Sequence, residues 1–163
     1  MRPTRALAIA ALVAAITATT VRPAFADATF FLGAQMSPSN RASKGFAIGF
    51  GILFVGFEFE YASVNEDLEA RAPSLKTGVG NVLLQTPVPI YGFQPYFTTG
   101  GGVYREQLDN RQDTSFASNV GGGVKVSLAG PLRLRVDYRV FKLESGALTS
   151  PTHRLYGGLN LSF

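Results

Sequence analysis

His153-Arg154-Leu155-Tyr156-Gly157-Gly158-Leu159-Asn160-Leu161-Ser162-Phe163 alternates along its length. Leu155, Leu159, Leu161 and Phe163 fall on one face of a period-2 strand, and Arg154, Tyr156, Gly158, Asn160 and Ser162 on the other. A strand that is apolar on one side and polar or small on the other suits a barrel wall standing between lipid and a polar lumen.

Working back from this strand, the same alternation recurs. Leu132, Leu134, Val136, Tyr138 and Val140 alternate with Arg133, Arg135, Asp137 and Arg139. Over 116–128, Val120, Val124, Val126 and Leu128 oppose Asn119, Gly121, Gly123 and Lys125. Over 56–63, Phe57, Phe59 and Tyr61 oppose Glu58, Glu60 and Ala62, and two carboxylates on one face belong in a polar lumen and not in lipid. Segments 45–53 and 29–36 add Phe46, Ile48, Phe50 and Ile52, and Phe30, Leu32, Ala34 and Met36. The pattern weakens in 75–85, where inward Gly78 and Gly80 would send Asn81 outward, so a bulge or a change of phase is expected. It weakens again in 94–106, where Gly100, Gly101 and Gly102 blunt the alternation around outward Phe97 and Val103.

These eight segments, about ten residues each, match the length of a tilted membrane strand. The expected fold is all-β, an eight-stranded antiparallel up-and-down transmembrane β-barrel. Short connections are expected near Phe54-Val55, Pro87-Val88-Pro89 and Ala129-Gly130-Pro131, with long polar loops at 37–44, 64–74, 107–115 and 143–152. Short turns on one side and long loops on the other follow the asymmetry of membrane barrels, whose long loops face outward.

The N-terminus reads as an export signal over residues 1–26. Arg2 and Arg5 precede an apolar stretch of about half a membrane span, and Ala24-Phe25-Ala26 supplies the small residues of a cleavage site at Ala24 and Ala26. The barrel then occupies 27–163. Removing Arg2, Arg5 and Arg22 leaves 12 basic against 11 acidic residues, a balance of +1, so the basic character of the whole chain does not point to nucleic acid. With no cysteine, the chain holds no disulfide, thiol nucleophile or Cys-based metal site.

The inward set expected from the alternation is Glu58, Glu60, Lys125, Arg133, Arg135, Asp137, Arg139 and Arg154. An eight-stranded barrel has room for side chains but hardly for a water-filled pore, so these charges are expected to pair as a lumen ion network. His153 is the lone histidine, expected at the outer interface; with Ser150, Thr152 and Glu144 nearby in sequence it matches no catalytic motif, and no enzyme activity, cofactor or metal is expected. Phe54, Phe57, Tyr104 and Phe163 fall near strand ends, where membrane barrels place aromatic girdles. Arg41 and Lys44 in the first loop, with Arg105, Arg111, Lys142 and Arg154 near other rims, are candidates for lipopolysaccharide phosphates.

Over residues 27–163 the chain resembles the small single-domain eight-stranded outer-membrane barrels of OmpA/OmpX type. The resemblance is carried by Leu155 to Phe163, by Pro95-Tyr96 before a Gly-rich strand, by Asn119-Val120-Gly121-Gly122-Gly123, and by Leu134-Arg135-Val136-Asp137-Tyr138-Arg139. It implies residence in a Gram-negative outer membrane and recognition of Tyr156, Leu159, Leu161 and Phe163 by the barrel-assembly machinery. It carries no single activity and, with no peptidoglycan-binding domain after Phe163, does not imply wall anchoring; a monomer with a structural or surface-interaction role through its loops is expected. A narrow channel and a lipid-modifying enzyme are the rivals within the membrane. A soluble lipocalin-like barrel, with the Phe/Ile/Leu face turned inward, is the rival outside it.

Overall fold

The computed structural model describes residues 25–144 and 146–163. Ala24 and most of the expected export signal lie outside the described residues. Eight strands run β1 (Phe25–Gln35), β2 (Arg41–Ile52), β3 (Val55–Val64), β4 (Ser74–Gln85), β5 (Phe93–Leu108), β6 (Arg111–Ala129), β7 (Leu132–Leu143) and β8 (Thr152–Ser162). Each pairs antiparallel with the next, and β1 pairs with β8 to close the barrel. Closure gives every strand two neighbours and leaves no wall edge for a further chain.

Side-chain parity separates two environments. Phe30, Leu32, Ile48, Phe50, Phe59, Phe97, Val103, Phe116, Leu134 and Leu159 are exposed on the outer wall, while Thr29, Glu60, Arg135, Asp137, Arg139, Arg154 and Asn160 are fully buried inside. A soluble barrel of lipocalin type would show the reverse arrangement.

Glycines permit this crowded interior where bulky groups converge. A Cβ on Gly123 would lie 2.5 Å from the Tyr96 hydroxyl and 2.2 Å from the Val136 carbonyl oxygen. One on Gly121 would lie 2.8 Å from Arg139 Cγ.

Several local expectations change. The expected loop 107–115 is a hairpin instead, with β5 and β6 joined through residues 109–110. Asp109 takes a positive φ of 52°, a conformation that Asp and Asn tolerate, so the polar Asp109-Asn110 pair turns the chain without a long loop. Arg41 and Lys44 lie in β2 and not in the first connection, which is confined to 36–40. In β4 no bulge is needed: Val79 and Asn81 are buried inside, and Gly78 and Gly80 take the outer parity. The register irregularity falls instead between Ser127 and Ala129, where β6 meets β7. The first strand starts before Thr29, at Phe25, because Ala26 finds a partner in Phe163, with which it exchanges two backbone hydrogen bonds at 3.0 and 2.9 Å.

The connections 36–40, 65–73, 109–110 and 144–151 share one end of the barrel, and 53–54, 86–92 and 130–131 the other. The first end is called the loop side below.

Candidate functional site

Among the described residues the lumen concentrates charge away from water, and strand register decides which charges meet. Arg135, Asp137 and Arg139 alternate inward from β7, Glu58 and Glu60 from the opposite wall on β3, and Arg154 and Tyr156 from β8. Arg135 bridges the lumen to Glu58, with a second contact from Nη2 to Glu58 Oε1 at 3.2 Å, and its Nη2 also reaches Asp137 at 3.0 Å. Arg139 donates from Nη2 to Glu58 Oε1 at 2.8 Å and from Nε to Asp137 Oδ1 at 2.9 Å, and its Nη1 lies 3.1 Å from Glu60 Oε2. Arg154 donates from Nη1 to Glu60 Oε1 at 3.1 Å.

Two tyrosines complete the network. The Tyr96 hydroxyl donates to Asp137 and accepts from Arg135 Nε at 2.7 Å. The Tyr156 hydroxyl donates to Glu60 Oε2 at 3.0 Å and accepts from Arg139 Nη2 at 3.2 Å. Each hydroxyl serves both roles, which lets one phenol link a guanidinium to a carboxylate. Both rings also lie beside Arg135, with its guanidinium carbon 4.9 Å from the Tyr96 centroid and 5.7 Å from that of Tyr156.

Two of the eight expected residues stand apart. Lys125 pairs with Asp27, a residue outside the expected network. Arg133 donates to the Gln94 side-chain oxygen at 3.0 Å and takes no part in an ion pair among the described residues. Its position one residue from the start of β7 leaves it half-buried at the mouth, where water can solvate it. Arg154, read both as lumenal and as a rim residue, is fully buried and does not reach the rim.

Toward the loop side the buried polar groups Gln35, Thr77, Glu106 and Thr152 are joined by an apolar cluster. Val64, Leu75, Val79, Tyr104, Ala117, Phe141 and Leu143 form a buried cluster, with Ala147 from the last connection packed against it. Arg154 joins the layers: its guanidinium carbon lies 4.5 Å from the Phe141 ring centroid. Tyr104 therefore belongs to the interior and not to an outer girdle, because β5 keeps one inward phase from Gln94 through Tyr96 and Thr98 to Tyr104. Phe54, Phe57 and Phe163 are exposed.

The groups around His153 are engaged elsewhere. Its Nδ1 shares a 2.7 Å hydrogen bond with the Tyr138 hydroxyl. Ser150 Oγ accepts from the Leu143 amide at 3.0 Å and donates to the Leu143 carbonyl at 3.1 Å, and Glu144 accepts from Ser115 at 2.9 Å. Thr152 points inward, on the opposite parity from His153, and donates to the Ser37 carbonyl at 3.1 Å.

No protein-family model and no curated protein matches the chain. Solved structures do. Neisserial surface protein A superposes with a TM-score of 0.67 at 16% identity, over 88% of this chain and 99% of that one. The N-terminal β-barrel domain of Pseudomonas aeruginosa OprF gives 0.64 at 14% identity, over 85% and 97%. The outer membrane enzyme PagL gives 0.52 at 11% identity, over 83% and 98%. The chain has the closed eight-stranded antiparallel fold of these small outer-membrane barrels.

Proposed function

We propose that the protein is an integral outer-membrane β-barrel of a Gram-negative bacterium. In this reading it is exported by the signal in 1–26, assembled through its terminal strand and closed to ion flow. Its role is structural or surface interaction through its loop-side connections. The observation that carries this reading is the sorting of side chains: a continuous apolar wall outside, and paired guanidinium and carboxylate groups within. An outer surface of Phe, Leu, Ile and Val on this scale would aggregate in water, and a bilayer is the solvent that suits it. Closure of the sheet supports a monomer, since no wall edge seeks a partner.

The interior supports closure to ions by two different layers. The ionic layer leaves few uncompensated charges to attract an ion, and the apolar cluster above it is accompanied by one buried carboxylate, Glu106, which accepts from the Leu148 amide at 2.7 Å. The shared fold with PagL keeps an enzyme in view, but fold does not carry function. Here Tyr138 occupies His153, and Ser150 and Glu144 hold the last connection in place.

Membrane fractionation tests the proposal. The protein should stay with membranes through a carbonate wash and should shift mobility on heating, as folded barrels do. Release into the soluble fraction would overturn the membrane reading.

A further inference from the structure

At the end of the barrel opposite the loop side, the mouth of the lumen encloses a cavity of about 90 Å³. Pro87, Val88 and Pro89 of the connection 86–92 give it an apolar cover. Its polar lining includes Gln85 of β4, Gln94 of β5, Lys125 of β6 and Arg133 of β7. One water takes about 10–15 Å³ of such space, so a group of several heavy atoms fits.

The charges around this cavity do not balance. Lys125 is buried and gives one of its three donors to Asp27. Arg133 has no carboxylate partner among the described residues, and its one hydrogen bond runs from Nη1 to Gln94 Oε1. Gln94 is held in turn, because its Nε2 donates to the Thr86 carbonyl at 2.7 Å, and this fixes the guanidinium at the edge of the cavity. Register brings the two cations together: Lys125 stands opposite Arg135, and Arg133 is the next inward residue toward the mouth. The carboxylates that share the lining are already engaged, Asp27 by Lys125 and Glu58 by Arg135 and Arg139. Arg133 is the charge left over.

The same lining carries an acceptor without a donor. Gln85 Oε1 is buried and has no hydrogen-bond partner among the described residues. The Gln85 amide reaches inward across Gly51 and Gly56, where a Cβ would lie 2.7 and 3.8 Å from its Nε2. A buried carbonyl left unpaired costs free energy until a donor reaches it. Chloride, a carboxylate or sulfate would answer the cations and bring no proton for Gln85. Hydrogen phosphate brings both.

The geometry points to an inorganic phosphate site in this mouth, with charged oxygens on Arg133 and Lys125 and the P–OH donating to Gln85 Oε1. Arg133 can offer two nitrogens to one phosphate, and Lys125 serves it as a point charge. The inference goes beyond the membrane reading and does not rest on it, since these polar groups lie on the inner face of the wall.

The test uses the protein extracted from membranes in a phosphate-free detergent and titrated by calorimetry at about pH 8, where a phosphate monoester carries close to two charges. The ligands are inorganic phosphate, sulfate and methyl phosphate. All three are then doubly charged, and only the first keeps an acid proton. Phosphate should bind with a Kd of about 1 mM or tighter. Sulfate and methyl phosphate should bind about tenfold more weakly, because each leaves Gln85 Oε1 unpaired. Gln85→Leu should lower phosphate affinity about tenfold and leave sulfate unchanged, which erases the preference. Arg133→Gln should weaken phosphate and sulfate alike, by about tenfold. The heat-dependent gel shift reports folding of both variants, and the contrast among the three anions in the parent protein needs neither. Absence of phosphate binding up to about 10 mM, equal affinity for phosphate and sulfate, or phosphate binding unmoved by Arg133→Gln would overturn the site.

Discussion

Arg139 of β7 donates to Glu58 of β3 across the full width of the lumen, at 2.8 Å between Nη2 and Oε1. It also touches Asp137 and Glu60, so one guanidinium serves three carboxylates. Removing it should strand buried negative charge. Arg139→Ala is expected to cost about 3–5 kcal/mol, whereas a variant that removes a charge already solvated, Arg133→Gln, should cost less than about 0.5 kcal/mol. Urea unfolding in lipid vesicles separates the two.

The assigned faces make a second contrast. Leu134→Arg puts a charge on the outer wall near midspan and should destabilise the folded barrel by roughly 2–4 kcal/mol. Its neighbour Arg135 is buried and bonded to Glu58, Asp137 and Tyr96, so Arg135→Leu should be at least as damaging. Only the first change should lose its effect when the barrel is moved from lipid to a detergent micelle, where the outer wall can be rehydrated. Equal recovery of both would show that the faces are misassigned.

Steric tolerance should differ sharply among glycines. Gly123→Ala forces a methyl against the Val136 carbonyl and the Tyr96 hydroxyl and should cost about 1–3 kcal/mol. Gly78→Ala, with nothing within 4 Å, should lie within about 0.5 kcal/mol of the parent. Refolding yield and unfolding midpoint measure the difference.

Conductance addresses the interior as a whole. In planar bilayers the protein should pass negligible current. Arg135→Glu, which adds a fourth carboxylate beside the three already around Arg139, should loosen the ionic layer yet leave the apolar cluster of Leu75, Phe141 and Leu143 in place. Current should therefore stay low. Reproducible unitary currents in the parent protein would reject a closed interior.

The terminal Phe163 is exposed, and its backbone bonds run to Ala26, the last residue of the expected signal, so a mature chain that begins at Asp27 lacks them. Deleting it should leave the stability of the folded barrel nearly unchanged while slowing insertion and leaving unfolded chain in the periplasm, as expected of an assembly signal. Pulse-chase fractionation, paired with unfolding of the inserted material, distinguishes the two effects.

The barrel was legible because β7 and β8 alternate without interruption, and a period of two assigns each side chain to a face. Parity likewise gathered Glu58, Glu60, Arg135, Asp137, Arg139 and Arg154 on the inside. What it could not supply was height along the strands, and height decides which inward residues meet. Lys125 therefore found Asp27, a residue next to the expected cleavage site, and Arg133 found no carboxylate. Tyr156 shares the polar face of β8 in the sequence, but nothing in the alternation tells that its hydroxyl, or that of Tyr96, links a guanidinium to a carboxylate. The apolar cluster escaped because Phe141 and Leu143 continue the charged face of β7, and only curvature of the wall brings them to Leu75 and Val79. Asp109-Asn110 was the missed local signal, a two-residue turn hidden in a polar stretch.

The links between β3 and β7 have a consequence for assembly. In an open sheet these strands are separated by three others, and neither Arg135 nor Arg139 can reach Glu58. Both contacts become possible only when β1 meets β8, and a wall of different circumference would hold the same groups too far apart or too close together. The interior thus acts as a gauge of strand number: half-built or miscounted walls leave its charges stranded, which makes closure a single cooperative event instead of a gradual one.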